Sequence, residues 1–277
     1  MALLIHTLFR LGSLMPLWLL HGLGSGLGWA SFLLSGRYRR RLLAHARQAG
    51  MPRAVALRAV AEAGKLVTEL PRLWLGAPVP VAWQGAEHID AAIASGRGLL
   101  FLTPHLGCFE ITAQAYARRF GAAHPMTVLF RPARKAWLQS LVAGARQRPG
   151  LRTAPTTLGG VKQLIKALKA GEAVGLLPDQ VPPQDMGVWS PFFGRDAYTM
   201  TLSARLAHAG QARVLLSWGE RLPRGRGYVV HVRPLPEPLA SDAVEAAAQI
   251  NRAMETLVRE SPAQYLWSYD RYKSPRP

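Results

Sequence analysis

From Gly98 to Val232 short apolar runs alternate with amphipathic helical stretches, and this alternation limits the possible folds more than any other feature of the chain. Gly98 to Thr103, Met126 to Phe130, Ala173 to Leu177, Arg213 to Trp218 and Tyr228 to Val232 have the length and apolar content of buried strands. The stretches near Gly107 to Phe120, Lys135 to Arg148, Gly160 to Lys169 and Thr199 to Ala209 have helical spacing. Strands separated by helices predict a single-domain α/β sandwich with one largely parallel sheet flanked by helices. A short Pro/Gly-rich turn joins the last two strands, which are expected to be antiparallel. Residues 42 to 76 read as helical, with Leu57, Val60, Leu66, Val67 and Leu70 on a stripe ending near Pro71. A last helix opens at Asp242, has Glu245 three residues on, and ends by Pro262. No internal repeat or low-complexity linker divides this domain.

Ahead of it, Leu11 to Gly36 form an uncharged run of 26 residues. That length can span a bilayer, although Pro16, His21 and the glycines at 22, 24, 26 and 28 interrupt it. The same residues can form a bent helical hairpin lying in one leaflet, or a buried helix of a soluble domain. Arg37, Arg39, Arg40, Arg41 and Arg47 follow at once. By the positive-inside rule they place the following domain on the cytoplasmic face. A cleaved signal peptide is a poor fit, since Arg10 is the only charge before the run and no small-x-small site precedes a polar start. The expectation is a membrane anchor over 1–36 and one domain over 37–277. A single cysteine, Cys108, cannot form an intramolecular disulfide, so a reducing compartment suffices.

The chain has 277 residues and a net charge of +18, with 49% hydrophobic residues. Its excess positive charge is local. Residues 1–61 hold eight Arg and no acid, and residues 111–171 hold eleven Lys and Arg and no acid, leaving 15 basic against 16 acidic residues elsewhere. A greasy chain with basic windows suits an anionic membrane or a nucleic acid. Against nucleic acid, no helix-turn-helix, RNA-recognition, zinc-finger or OB signature is present, and much of the charge flanks the apolar run.

The sharpest local signal is Gly98-Leu-Leu-Phe-Leu-Thr-Pro-His105-Leu-Gly-Cys-Phe-Glu110. Here a buried strand delivers His105 and Glu110 to its carboxyl end, where open α/β sheets bind ligands. Two helical positions five apart diverge by about 140°, so the pair cannot meet on one helical face. They can meet if His105 lies on a loop and Glu110 in the first turn of the next helix. Glu110 would then fix the imidazole tautomer and leave the other nitrogen as a general base, a triad lacking its serine. The nucleophile would be a substrate hydroxyl. Within the motif, Cys108 reads as a small buried helix residue rather than a nucleophile, and zinc binding by His105, Glu110 and His124 lacks the usual ligand spacing.

Four blocks carry a family resemblance: His105 to Glu110; Phe130-Arg131-Pro132; Leu177-Pro178-Asp179-Gln180 with Pro191-Phe192-Phe193-Gly194-Arg195; and Gln264-Tyr265-Leu266-Trp267 with Arg271-Tyr272-Lys273. In this order they resemble the late lauroyl and myristoyl acyltransferases of lipid A biosynthesis, related to the glycerolipid acyltransferases that carry Asp in place of Glu. The tail departs from the family in reading Ser268-Tyr269-Asp270 where a more basic, His-containing stretch is expected. The resemblance implies transfer of a fatty acyl group from an acyl carrier protein thioester to a hydroxyl of an acylated, phosphorylated glucosamine disaccharide, with coenzyme A as the other conceivable donor. It implies no metal or cofactor, His105 as base with Glu110 orienting it, Arg131 on anionic charge, and Asp179 and Arg195 in the same substrate pocket. Partners on this reading are the carrier protein, the lipid A precursor and inner-membrane phospholipid, with no nucleic acid. Another acceptor, such as an ornithine lipid or glycolipid, is the rival within the class.

Overall fold

The computed structural model describes residues 2–130 and 148–275, with side chains from residue 6 onward. The helix expected over Lys135 to Arg148 lies outside the described residues except at its last position, and Arg131 lies outside them altogether. In chain order the elements are α1 (Ala2–Leu14), α2 (Leu17–Leu34), α3 (Gly36–Gln48), α4 (Arg53–Thr68), α5 (Leu70–Leu75), β1 (Val81–Gln84), α6 (Ala86–Ala94), β2 (Leu99–Leu102), α7 (Phe109–Arg119), β3 (Met126–Phe130) and β4 (Leu151–Pro155). There follow α8 (Leu158–Lys169), β5 (Ala173–Leu176), β6 (Gly187–Phe192), β7 (Arg195–Met200), α9 (Leu202–Ala209), β8 (Arg213–Arg221), β9 (Tyr228–Pro234) and α10 (Ala243–Glu260).

Among the described residues, seven strands form one sheet in the order β1-β9-β8-β2-β5-β3-β4, and β6 and β7 make a separate antiparallel hairpin. Every neighbouring pair in the large sheet is parallel except β8 and β9, so the expected architecture holds, including the antiparallel turn-joined pair. Strand side chains alternate between faces. Leu100 and Leu102 of β2 therefore join Val174, Leu216 and the inner sides of α8, α9 and α10 in one core. Leu99 and Phe101 point the other way, against Ile111 and Tyr116 of α7 and Ile89 of α6.

The sequence reading differs from the structure at several elements. Residues 42–76 are three helices rather than one stripe, broken at Gly50, where φ is +74°, with Pro52 after it, and again at Glu69. The uncharged run is likewise divided. Pro16 separates α1 from α2, and α2 lies antiparallel along α4 with Leu17, Leu20, His21, Gly24, Gly28 and Phe32 buried. The two backbones touch: a Cβ on Gly64 would stand 1.9 Å from the Gly24 carbonyl oxygen, and one on Gly28 would stand 2.1 Å from the Val60 carbonyl oxygen. Two of the glycines that looked like interruptions of a span, Gly24 and Gly28, are thus part of the contact surface between two helices. The Thr68 hydroxyl closes this seam by donating to the Leu20 carbonyl at 2.7 Å.

Candidate active site

β2 and β5 are adjacent and parallel, so the segments that leave their carboxyl ends emerge side by side. From β2 the chain runs Thr103-Pro104-His105, and Pro104 keeps Thr103 extended. From β5 it runs Leu177-Pro178-Asp179-Gln180. The Thr103 amide donates to the Leu176 carbonyl at 3.0 Å, which locks the two exits in register. Two residues 74 positions apart in sequence therefore meet. His105 Nδ1 lies 2.7 Å from Asp179 Oδ1, and the His105 backbone amide donates to Asp179 Oδ2 at 2.9 Å.

The charge state of Asp179 follows from its surroundings. Burial opposes the carboxylate most strongly, but His105, through its charge and two hydrogen bonds, and Arg271 together outweigh burial and hold the carboxyl below its usual range. An ionised carboxylate only accepts hydrogen bonds, so Nδ1 carries the imidazole proton. Nε2 of the neutral ring is then an acceptor, and the Gln180 side-chain amide stands 2.9 Å from it, in place to donate. The ring of Phe109 packs edge-on against the imidazole, centroids 4.9 Å apart, and the His105 side chain is only 15% exposed.

This geometry corrects the expected pairing. Glu110 does not hold the imidazole. α7 begins only at Phe109, and at its second position Glu110 turns into the protein, where its Oε2 accepts from Trp74 Nε1 at 3.2 Å. Asp179 takes the place expected for Glu110. Gly107 sets this turn: its φ is +59°, and a Cβ would stand 2.0 Å from the Gly219 carbonyl oxygen. Cys108 is fully buried, and burial first, then the neighbouring Glu69 carboxylate, pushes its thiol far up. A nucleophilic cysteine needs the opposite shift.

The tail is built into the site. Leu106 and Tyr265 form an antiparallel bridge, the Leu266 amide donates to the His105 carbonyl at 3.1 Å, and the Gly107 amide donates to the Gln264 carbonyl at 3.0 Å. Tyr269 accepts from the Val181 amide at 2.9 Å, next to Gln180. Arg271, 3% exposed, donates to the Tyr198 carbonyl at 2.7 Å and to Thr199 Oγ1 at 2.6 Å, fastening the tail to β7. Arg195 is exposed at the start of β7, its guanidinium 4.6 Å from the centre of the Tyr272 ring. Among the described site residues, His105, Asp179 and Gln180 are in direct contact, while Arg195 stands on the tail.

A second constellation was not singled out from the sequence. Arg221, at the end of β8, is 4% exposed and pairs with Glu69 through Nε (2.8 Å) and Nη2 (2.7 Å), and with Glu62 through Nη1 (2.8 Å). Its Nη2 also donates to the Gly107 carbonyl at 3.2 Å. Tyr228 donates to Glu69 Oε2 at 2.9 Å, and His21 Nε2 stands 3.2 Å from the same oxygen. The cluster thus joins α2, α4 and β9 to the loop that carries His105. A narrow apolar cavity of about 40 Å³ lies between α7 and the sheet, lined by Phe101, Phe109, Tyr116, Met126 and Val128, with Thr103 in its wall.

Residues 13–274 match the model of the bacterial lipid A biosynthesis acyltransferase family. The Escherichia coli lipid A biosynthesis lauroyltransferase is 31% identical over 194 residues, which cover 69% of this chain and 61% of that protein. The lipid A biosynthesis palmitoleoyltransferase and myristoyltransferase of the same organism are 26% and 25% identical over 197 and 198 residues, covering 61% and 60% of those proteins. The matched stretch therefore spans about six-tenths of the length of these relatives. With the family model covering nearly the whole chain, the chain belongs to the bacterial lipid A biosynthesis acyltransferases.

Proposed function

We propose that this chain transfers a fatty acyl group from an acyl carrier protein thioester to a hydroxyl of an acylated, phosphorylated glucosamine disaccharide at the cytoplasmic face of the inner membrane. The observation that carries the chemistry is the ordered relay Asp179, His105 Nδ1, His105 Nε2, with Nε2 left as the acceptor. In this reading the acceptor hydroxyl replaces the Gln180 amide at Nε2, gives its proton to His105 and attacks the thioester carbonyl. Asp179 holds the tautomer and stabilises the imidazolium that forms. The proton then passes from His105 to the departing thiolate, so no acyl-enzyme is needed. Arg131, by its place in the Phe130-Arg131-Pro132 block, neutralises a lipid phosphate or the oxyanion, and Arg195 and the tail line the acceptor side. The cavity under Phe109 receives the start of the donor chain.

The test is turnover with acyl carrier protein donor and the tetra-acylated disaccharide. His105→Ala is expected to reduce kcat by about 10²- to 10⁴-fold, the usual worth of a general base. Asp179→Asn, which favours the wrong tautomer, is expected to reduce kcat more than Glu110→Gln does. Near-normal turnover by His105→Ala would sink the mechanism. Turnover with an ornithine lipid or glycolipid but not with the disaccharide would keep the chemistry and replace the acceptor.

A further inference from the structure

α2 presents two unlike surfaces. The side facing α4 is sealed by glycine contacts and by His21 on Glu69, while Trp18, Leu23, Leu27, Leu33 and Leu34 project outward, all 45% or more exposed, with Leu14 of α1 beside them. No charged side chain lies on α2, and its two outward hydroxyls are satisfied within the helix, Ser25 on the His21 carbonyl and Ser31 on the Leu27 carbonyl. A continuous exposed apolar surface of this kind marks an interaction face. Its margins are basic. Arg37 and Arg40 are exposed just beyond the carboxyl end of α2. At the other end the β8–β9 turn abuts Trp18, with Gly225 against the Trp18 backbone, and carries exposed Arg224 and Arg226.

Both ends of α2 are also tied to the same body. On the amino side, Phe9 of α1 stacks on Trp74, centroids 5.9 Å apart, and Arg72 donates to the Ser13 carbonyl at 3.0 Å; Trp74 itself donates to Glu110. On the carboxyl side, Leu42 and Ala46 of α3 enter the core. A spanning α2 would have to place these two attachments on opposite sides of a bilayer. It would also draw its partner α4, with Arg58, Glu62 and Lys65, into hydrocarbon, where charged side chains are strongly disfavoured.

We propose that α1 and α2 dock this chain on one leaflet of an anionic bilayer without crossing it, the outward face of α2 among the acyl chains and Arg37, Arg40, Arg224 and Arg226 among the headgroups. The side that an in-plane helix normally turns to water is here packed against the protein. This rests on the membrane location proposed above and adds the mode of attachment.

Two measurements on the full chain test it. In a Cys108→Ser background, Arg10→Cys and Arg40→Cys are exposed to a membrane-impermeant maleimide. Both are expected to react in inverted inner-membrane vesicles and neither in intact spheroplasts. Labelling of either in spheroplasts, or failure of Arg10→Cys to label in inverted vesicles, overturns the proposal. In the second measurement, Leu23→Glu/Leu27→Glu is expected to reduce sedimentation with phosphatidylglycerol vesicles at least tenfold, and Arg224→Glu/Arg226→Glu to weaken binding to these vesicles but not to phosphatidylcholine ones. Unchanged binding by the leucine variant also overturns it. Acyl transfer in detergent, expected within twofold of the unsubstituted chain for both, separates docking from chemistry: absent transfer by the unsubstituted chain removes the proposed function and leaves the docking result standing.

Discussion

At the scale of single residues, the site is a problem of non-local placement. His105 and Asp179 are both identifiable in the sequence, each within a strand-exit motif, but their pairing depends on β2 and β5 being neighbours in the sheet. Local spacing offered Glu110 as the only nearby carboxylate. The same limit hid the cluster around Arg221, whose partner Glu69 is 152 residues away. That cluster makes a pH prediction. Burial alone would raise the Glu69 pKa, but the charge and hydrogen bonds of Arg221, with help from His21, hold it down to about 2. A carboxyl depressed from 4.5 to about 2 on folding stabilises the folded state above pH 4.5, and this stabilisation, on the order of 3 kcal/mol, is lost as pH falls toward 2. Urea unfolding followed from pH 5 to 2.5 should show a midpoint falling steadily through that window. A flat midpoint down to pH 3 would show that Glu69 titrates normally.

At the scale of elements, long amphipathic helices and fully apolar strands were legible because their periodicity is strong. The missed elements have physical reasons. β1 and β4 are edge strands with partly exposed residues, and β4 ends on Pro155, which has no backbone donor and is tolerated at an edge. The β6–β7 hairpin contains Pro191 and turns through Phe193 and Gly194, both at positive φ, so it read as a motif rather than as two strands. The α2–α4 seam gives the prediction at this scale. Gly64→Ala places a methyl against the Gly24 carbonyl, with backbone on both sides and no flexible side chain to yield, and should destabilise the fold by about 1–3 kcal/mol. Gly22, on the same helix as Gly24, has no atom within 4 Å of its would-be Cβ. Gly22→Ala should therefore be neutral or stabilising by up to about 1 kcal/mol. Thermal unfolding of the two variants distinguishes a packed seam from a loose one, since equal midpoints would contradict close contact.

At the scale of the whole molecule, the charge of +18 is divided among surfaces with different neighbours. The acid-free window over 1–61 covers α1 to α3 and half of α4, and of its arginines Arg37 and Arg40 lie exposed just beyond the apolar face of α2 while Arg41 pairs with Asp270 of the tail. Only part of the window over 111–171 falls within the described residues. An association combining exposed arginines with apolar insertion should respond to salt in two parts. The Debye length falls from about 10 Å at 0.1 M to about 3 Å at 1 M. Binding to phosphatidylglycerol vesicles should therefore weaken several-fold over that range and then level off at the apolar contribution, while binding to neutral vesicles should change little. Complete release by salt would mean that charge alone holds the chain to the surface.

The Gln180 amide on His105 Nε2 has a kinetic meaning. With both imidazole nitrogens already bonded, the proposed base is capped, and a lone water arriving there gains little by displacing an amide that bonds as well as it does. A large acceptor, whose many other contacts do the displacing, does not have that handicap. In the proposed transfer, the exchange at one nitrogen would favour a bulky lipid acceptor over solvent as the group deprotonated, and would protect a thioester donor until that acceptor arrives.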